Sequence, residues 1–354
     1  MAHAAPIPPP DTPAPLGAGV IGLGEIGQYH LRGFDACGGA EVVAVADLDP
    51  AVRDRSAAPR GAAAYADYRD LLDDPAVSVV SVCLPHALHL PVALAAIAAG
   101  KHLLVEKPLA LTSAECEEII AAAERAGITA GVQHNQLFYP PHARAKELID
   151  AGELGRLVHL RLRLGIGGKY GGWRSDPQVA GGGLLFDAGV HRFYMARHLG
   201  GEVEEVVALT DRDRAAGEDR AVVALRFADG ALGVIDASYH GPAGMFDDSI
   251  EVVGTEGALY LAGCEAEFEG FRTGPALRRY DGSWHEVHVK PGNWADSVSA
   301  SIAAFVDAVI ARHDPPVTLD DGRAVLQLIE AAHESAATVS GRAAIAQPDQ
   351  QEGS

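Results

Sequence analysis

The stretch Gly19-Val20-Ile21-Gly22-Leu23-Gly24-Glu25-Ile26-Gly27 decides the fold. Gly19 to Gly22 reads as a short buried strand, and residues 25–36 read as the helix that follows it. Between them lies Gly-x-Gly-x-x-Gly. The first glycine allows a tight turn, the second lets backbone approach a pyrophosphate, and the third lets the helix pack on the strand. The amides at the helix N-terminus, around Glu25 and Ile26, are then free for phosphate.

Working outward, strands and helices alternate. Glu41–Ala46 is an apolar strand, 50–57 a helix, 62–64 a weak strand and 68–72 a short helix. Val77–Leu84 is a β-branched run bounded by Pro75 and Pro85, as a buried parallel strand requires. A helix over 88–99 stops at Gly100, a strand covers 102–105, a helix 113–126 and a strand 129–132. This spacing predicts an α/β chain that opens with a doubly wound parallel sheet, a Rossmann domain over 18–134. The proline-rich residues 1–17 read as a disordered tail.

Beyond residue 134 the pattern changes to longer alternating strands: 157–165, 203–210, 220–228, 231–240, 249–254, 257–262, 277–280 and 284–289. Asp229-Gly230 and Asp281-Gly282 are hairpin turns. A helix over 141–151 precedes these strands, and helices over 293–312 and 320–340 close the chain. The expectation is a second α/β domain over 135–341 with a large open mixed sheet, binding substrate and mediating oligomerisation, then a C-terminal tail over 342–354.

Asp47 stands twenty residues after Gly27, at the end of the second strand, with Leu48 beside it. A carboxylate there accepts from ribose hydroxyls and repels a 2′-phosphate, which favours NAD over NADP. Arg53 and Arg55 nearby weaken that preference. Two further strand ends face the same crevice. One carries Cys83-Leu84-Pro85-His86, with His89 following; the other carries Glu106-Lys107-Pro108. Much later comes Gly182-Gly183-x-x-x-Asp187-x-x-x-His191, whose last two residues would share one face of a helix.

These motifs resemble the glucose-fructose oxidoreductase / inositol dehydrogenase / rhizopine-catabolism (Gfo/Idh/MocA) family over nearly all of residues 18–341. The carriers are the glycine loop, Pro85 with His89, Glu106-Lys107-Pro108, Asn135, Trp173-Arg174 and the Gly-Gly-x-x-x-Asp-x-x-x-His element. The resemblance implies that Lys107, Asp187 and His191 form the catalytic group, that the Lys-Pro bond is often cis, and that the open sheet commonly mediates oligomerisation. One departure is Tyr194, where such enzymes often carry an acid three residues after the histidine.

Chemically, His191 suits a general base of near-neutral pKa, with Asp187 orienting or tuning it. Lys107 can hydrogen-bond an alcohol oxygen as charge develops. Cofactor contacts are expected from Gly22, Gly24, Glu25, Ile26, Gly27, Asp47, Leu48, Cys83, Leu84, Pro85, His86, His89, Glu106, Lys107, Asn135, Trp173 and Arg174. Substrate contacts are expected from Lys107, Asn135, Lys169, Tyr170, Asp187, His191 and Tyr239. Asn135 reads as a nicotinamide or substrate contact, with a turn role as the alternative. Trp173 and Arg174 read as bordering the cleft, with core packing the alternative for Trp173. Cys83 reads as strand-end packing rather than a nucleophile. His86 and His89 lack the further ligands that a metal site needs.

The 354 residues carry 28 Lys+Arg against 48 Asp+Glu, a formal charge of −20. That balance argues against general nucleic-acid binding and against docking on anionic lipid. The four scattered cysteines form no CxxC pair, and no signal peptide is legible, which points to reduced thiols in the cytoplasm. Acidic clusters at Asp247-Asp248 and at Glu265, Glu267 and Glu269 read either as solvated surface or as a lure for a cationic amino sugar such as an aminoglycoside. The leading expectation is an NAD-dependent dehydrogenase of a sugar, amino-sugar or cyclitol hydroxyl, working as a homodimer or homotetramer. A catalytically silent NAD-sensing regulator and an NAD-dependent glycoside-cleaving enzyme are the alternatives.

Overall fold

A computed structural model describes residues 14–168, 171–213, 217–263, 274–290 and 292–338. Its first half is built from β1 (Leu16–Ile21), α1 (Glu25–Ala36), β2 (Ala40–Ala46), α2 (Pro50–Ala57), β3 (Ala63–Tyr65), α3 (Tyr68–Asp73), β4 (Val79–Val82), α4 (His89–Ala98), β5 (His102–Glu106), α5 (Ser113–Ala126) and β6 (Ala130–Gln133). The six strands form one parallel sheet in the order β3-β2-β1-β4-β5-β6. The order reverses between β1 and β4, so the crevice for a ligand opens at their carboxyl ends.

β4 is fully buried, which is why its sequence is unbroken Val-Val-Ser-Val rather than alternating. It is shorter than expected: Val77 lies in the turn before it, its amide bonded to the Asp74 carbonyl. β1 begins at Leu16, two residues inside the expected tail, because Leu16 and Gly17 pair with Ala40 and Glu41.

The second half comprises α6 (Pro140–Asp150), β7 (Leu157–Ile166), α7 (Pro177–Ala180), α8 (Leu184–Asp187), α9 (Val190–Gly200), β8 (Val203–Asp211), β9 (Arg220–Phe227), β10 (Leu232–Ser238), β11 (Phe246–Asp247), β12 (Ile250–Gly254), β13 (Ala258–Leu261), β14 (Leu277–Tyr280), β15 (Trp284–Glu286), α10 (Trp294–Ala311) and α11 (Leu319–Thr338). Nine strands form a mixed sheet in the order β15-β14-β13-β12-β7-β10-β9-β8, with β11 on β7. Among the described residues only β7 and β10 of this sheet run parallel. Strand β9 alternates strictly between exposed and buried, so one sheet face packs inward. The other leaves Val207, Leu209, Val222 and Leu232 exposed.

The closing helices return to the first half. α10 is apolar enough to span a membrane by length and composition, but Val298, Ile302 and Phe305 bury against Leu31 and Phe34 of α1. α11 packs on α5, α9 and β8. The run Leu88–Val105 resolves into α4, a Gly100 turn and β5, as its sequence implies.

Candidate active site

The glycine loop joins β1 to α1. Gly22 has φ +87°, and a Cβ there would lie 2.3 Å from the Cys83 carbonyl oxygen. A Cβ on Gly27 would lie 2.1 Å from the Gly22 carbonyl, so only glycine lets α1 sit this close to the turn. Above Gly24 the space is open, and α1 has no side-chain cap at that end. Its first amides therefore remain for an anion.

Asp47 accepts from the Leu23 amide through Oδ2 (2.7 Å) and from the Asp49 amide through Oδ1 (2.9 Å). Each oxygen keeps a lone pair for a ribose hydroxyl. Leu48 is 87% exposed beside it. Arg53 Nη1 donates to the Asp47 carbonyl at 2.9 Å. The glycine loop and this acidic corner fit NAD.

The chemistry-bearing side chains converge from both halves. Lys107 follows β5, and the Lys107-Pro108 peptide is cis. Lys107 Nζ donates to the Asp187 carbonyl at 2.7 Å and lies 4.0 Å from Asp187 Oδ1. Asp187 Oδ2 accepts from Arg174 Nε at 2.9 Å and from the Tyr239 hydroxyl at 3.0 Å, and Oδ1 lies 4.0 Å from His86 Nε2. Burial alone would raise the Asp187 pKa. Lys107, Arg174, His86 and the Tyr239 hydrogen bond outweigh it and hold the carboxyl below its usual range.

Asp187 and His191 do not share a helical face. Asp187 ends α8 and His191 sits in the first turn of α9, with Ala188 and Gly189 breaking the helix between them. The carboxylate expected to orient His191 is turned to Arg174 and Tyr239 instead. His191 packs edge-on against His134, with ring centroids 5.6 Å apart, and its Nδ1 is buried without a hydrogen-bond partner. Tyr194 stacks flat on the His134 ring at 4.2 Å. Burial first, then Lys107, His134, Arg192 and His142, hold the His191 pKa well below 6.5. The near-neutral base of the sequence reading is thus corrected to an imidazole held neutral.

Around this centre, His86 Nδ1 lies 2.8 Å from the Ala180 carbonyl and its ring meets Trp173 edge-on at 4.6 Å. The Arg174 guanidinium lies over the same indole at 4.5 Å. His89 points both nitrogens at main-chain carbonyls, Pro108 at 2.7 Å and Leu84 at 2.8 Å. Burial keeps His86 near a pKa of about 3 and lowers that of His89.

Several expected cofactor contacts have other partners. The Glu106 carboxylate is buried between His30 Nε2 (2.9 Å) and the Lys107 amide (3.0 Å). His30 Nδ1 in turn lies 2.6 Å from Ser81 Oγ. Burial opposes charge on His30, but Cys83 and Glu106 outweigh it and push the pKa up to about 10. Cys83 presents its carbonyl to Gly22 and its Sγ to Ser81 Oγ at 3.8 Å. Leu84 packs against Gly22, and Pro85 opens the short turn His86–Leu88. The Asn135 side-chain amide donates to Ser297 Oγ on α10 at 2.8 Å and is buried, at the start of the short helical turn Asn135–Phe138.

Lys169 and Tyr170 lie outside the described residues, as do Glu265, Glu267 and Glu269. Asp247 and Asp248 are not a surface lure. Both are buried, 3.4 Å from Arg163 Nε and 3.7 Å from Arg192 Nη2 respectively. Sequence reasoning missed His134, His30 and Ser81. Their only signals were a histidine beside Asn135, a histidine on the buried face of α1, and a serine inside an apolar strand.

A six-stranded sheet in the dinucleotide order, a glycine turn at its reversal, and Lys107 at the adjoining strand end with Asp187 and His191 brought towards it by α8 and α9 together define a nucleotide-dependent oxidoreductase. Residues 16–134 match the oxidoreductase family with an NAD-binding Rossmann fold, and residues 142–260 match the Gfo/Idh/MocA C-terminal domain. The chain belongs to the Gfo/Idh/MocA family, and its first domain binds NAD. It is 31% identical to the myo-inositol 2-dehydrogenase of Thermotoga maritima, over 90% of this chain and 95% of that one. Levoglucosan dehydrogenase of Pseudarthrobacter phenanthrenivorans is 28% identical over 92% and 97%. Among solved structures, GenD2 of gentamicin A biosynthesis, in complex with NAD, superposes with a TM-score of 0.80 at 32% identity, covering 92% of this chain and 95% of that one. A levoglucosan dehydrogenase with NADH and levoglucosan gives 0.78 at 27%, covering 92% and 98%.

Proposed function

We propose that the chain is an NAD-dependent dehydrogenase that oxidises, or in reverse forms, a secondary hydroxyl of a sugar, amino sugar or cyclitol. The observation that carries this is the bond from Lys107 Nζ to the Asp187 carbonyl, which joins the two halves beside His191. The relatives named above work on inositol and levoglucosan or belong to aminoglycoside synthesis, which supports that substrate range.

Held at the glycine loop Gly22–Gly27 and by Asp47, a nicotinamide cofactor would supply the hydride acceptor for the carbinol carbon. His191, kept neutral by burial and by Lys107, takes the hydroxyl proton. Its Nδ1 is buried, so Nε2 is the nitrogen assigned to the cleft. Lys107 donates to the alcohol oxygen as charge builds there. Asp187 holds the Lys107 ammonium in place, and Tyr239 and Arg174 hold Asp187. Trp173 and His86 wall the same cleft. Retention of Lys169 and Tyr170 as substrate contacts rests on their position in sequence.

We also infer a homodimer or homotetramer in the cytoplasm, with a second copy covering the exposed Val207, Leu209, Val222 and Leu232. The experiment is a panel of sugars, amino sugars and cyclitols, with NAD and NADP compared at equal concentration. Absorbance from NADH should rise with at least one member and rise less with NADP. A cofactor that stays bound and is not consumed while a glycoside is cleaved would contradict the dehydrogenase reading.

A further inference from the structure

One acidic residue outside the catalytic group reaches the turn that presents Asp187. Glu218 lies between β8 and β9, far from Asp187 in sequence. Its main-chain carbonyl accepts from the Leu184 amide at 2.7 Å, and its carboxylate Oε1 accepts from the Leu185 amide at 2.8 Å. These are the first two amides of α8, which no carbonyl within that four-residue helix can serve. A carboxylate at this end is also favoured by the peptide dipoles.

The fit leaves no slack. A Cβ on Gly183 would lie 2.2 Å from the Glu218 carbonyl oxygen, and one on Gly217 would lie 2.4 Å from the Gly183 amide nitrogen. The paired glycines let the two segments touch main chain to main chain. The Glu218 side chain is only 11% exposed, and His333 Nε2 of α11 lies 3.2 Å from its Oε1. The next residue is linked to Asp187 through Tyr239. Asp219 is buried, lies 3.1 Å from His240 Nε2, and its carbonyl accepts from the Tyr239 amide at 2.9 Å. Tyr239 is the residue whose hydroxyl meets Asp187 Oδ2.

We propose that Glu218 is a positioning residue for the candidate catalytic group, acting by capping the turn that carries Asp187. The turn sets two groups at once, because the Asp187 carbonyl that α8 delivers is the acceptor for Lys107 Nζ. Loss of the cap loosens both Asp187 and Lys107 while leaving the glycine loop of β1 untouched. This rests on the reading that Asp187 and Lys107 take part in catalysis.

The test compares Glu218→Ala and Glu218→Gln in the full chain. Glutamine keeps an acceptor oxygen for the Leu185 amide; alanine does not. With Glu218→Ala, which keeps the main-chain carbonyl that serves Leu184 but removes the acceptor of Leu185, hydrogen exchange at the Leu185 amide should speed up at least about 10-fold and kcat should fall about 10- to 100-fold. The NAD dissociation constant should stay within about 2-fold, since the first α1 amides are not involved. Glu218→Gln should stay within about 3-fold of the parent in all three. If the alanine variant does not fold, Glu218→Asp, one methylene too short to reach Leu185, should give the same pattern. Unchanged exchange in the alanine variant, faster exchange with undiminished kcat, or a glutamine variant as impaired as alanine would each overturn the proposal. If the parent turns over no sugar or cyclitol, the dehydrogenase reading fails by itself, and the exchange measurement still decides whether Glu218 holds the turn.

Discussion

The two parts of the proposed active site are made in different ways. The cofactor side is main chain: a turn and the start of α1, formed within Gly22–Gly27, with one acid at the end of β2. The reaction side is side chain: Lys107 after β5, Asp187 on α8, His191 on α9, with Arg174, Tyr239 and His134 from three further segments. A backbone site depends on glycines whose replacement is sterically forbidden. A side-chain site depends on burial and on partners that keep each group in one charge state.

That contrast can be broken most sharply at Gly22. Gly22→Ala places a methyl 2.3 Å from a carbonyl oxygen at a φ that alanine resists. NAD affinity by calorimetry should fall at least about 100-fold, since the amides that meet the pyrophosphate are displaced. Affinity within a few-fold of the parent would mean that the loop is not the cofactor cradle.

The reaction side should be the acid-sensitive part. His86, His134 and His142 are each held near a pKa of about 3 in the fold against 6.5 ordinarily. A depressed histidine pKa means that the unfolded chain takes up protons that the folded one refuses. Stability is therefore full above pH 6.5 and lost as pH falls toward 3. Each histidine contributes up to about 1.4 kcal/mol per pH unit, so melting temperature should drop steeply between pH 6.5 and 5. A flat melting curve over that range would show that these rings titrate freely.

The same burial sets the rate profile. Because His191 is held well below 6.5, the acid limb of kcat/KM for alcohol oxidation should lie below pH 6.5, with a level region between it and neutrality. A limb centred at 6.5 or above would return His191 to an ordinary exposed imidazole.

The smallest effect belongs to Glu25, an exposed acid in the first turn of α1. Its charge opposes an anion at that end, so Glu25→Gln should tighten NAD by about 2- to 5-fold at low salt and by less as salt rises. Weaker binding would mean that the carboxylate itself touches the cofactor.

The contrast also explains what the sequence could tell. The glycine loop was legible because its function is local: three glycines, a strand before and a helix after. The alternation of strand and helix revealed the sheet for the same reason. Lys107, Asp187 and His191 sit in motifs whose family resemblance implies a catalytic group, but neither their mutual relations nor the part of His134 is legible in the sequence. Nothing in the spacing of Asp187 and His191 signals the break at Ala188 and Gly189, which parts them and turns the carboxylate to Arg174 and Tyr239. Glu106 follows an apolar strand like a ligand-facing residue, yet it closes on His30, 76 residues earlier in the chain. Asp247-Asp248 reads as surface charge, and only the packing of Arg163 of β7 beside Asp247 and of Arg192 of α9 beside Asp248 shows it to be interior. Long-range pairs of this kind have no period and no motif.

The central claim is that cofactor binding and chemistry reside in these two separable parts. It is tested most directly by His191→Ala, measuring NAD binding by calorimetry and NADH formation with the best substrate of the panel on one preparation. The account predicts an NAD dissociation constant within about 2-fold of the parent and turnover lowered by about 100- to 10,000-fold. Turnover retained in that variant, or lost in proportion to NAD affinity, would contradict it.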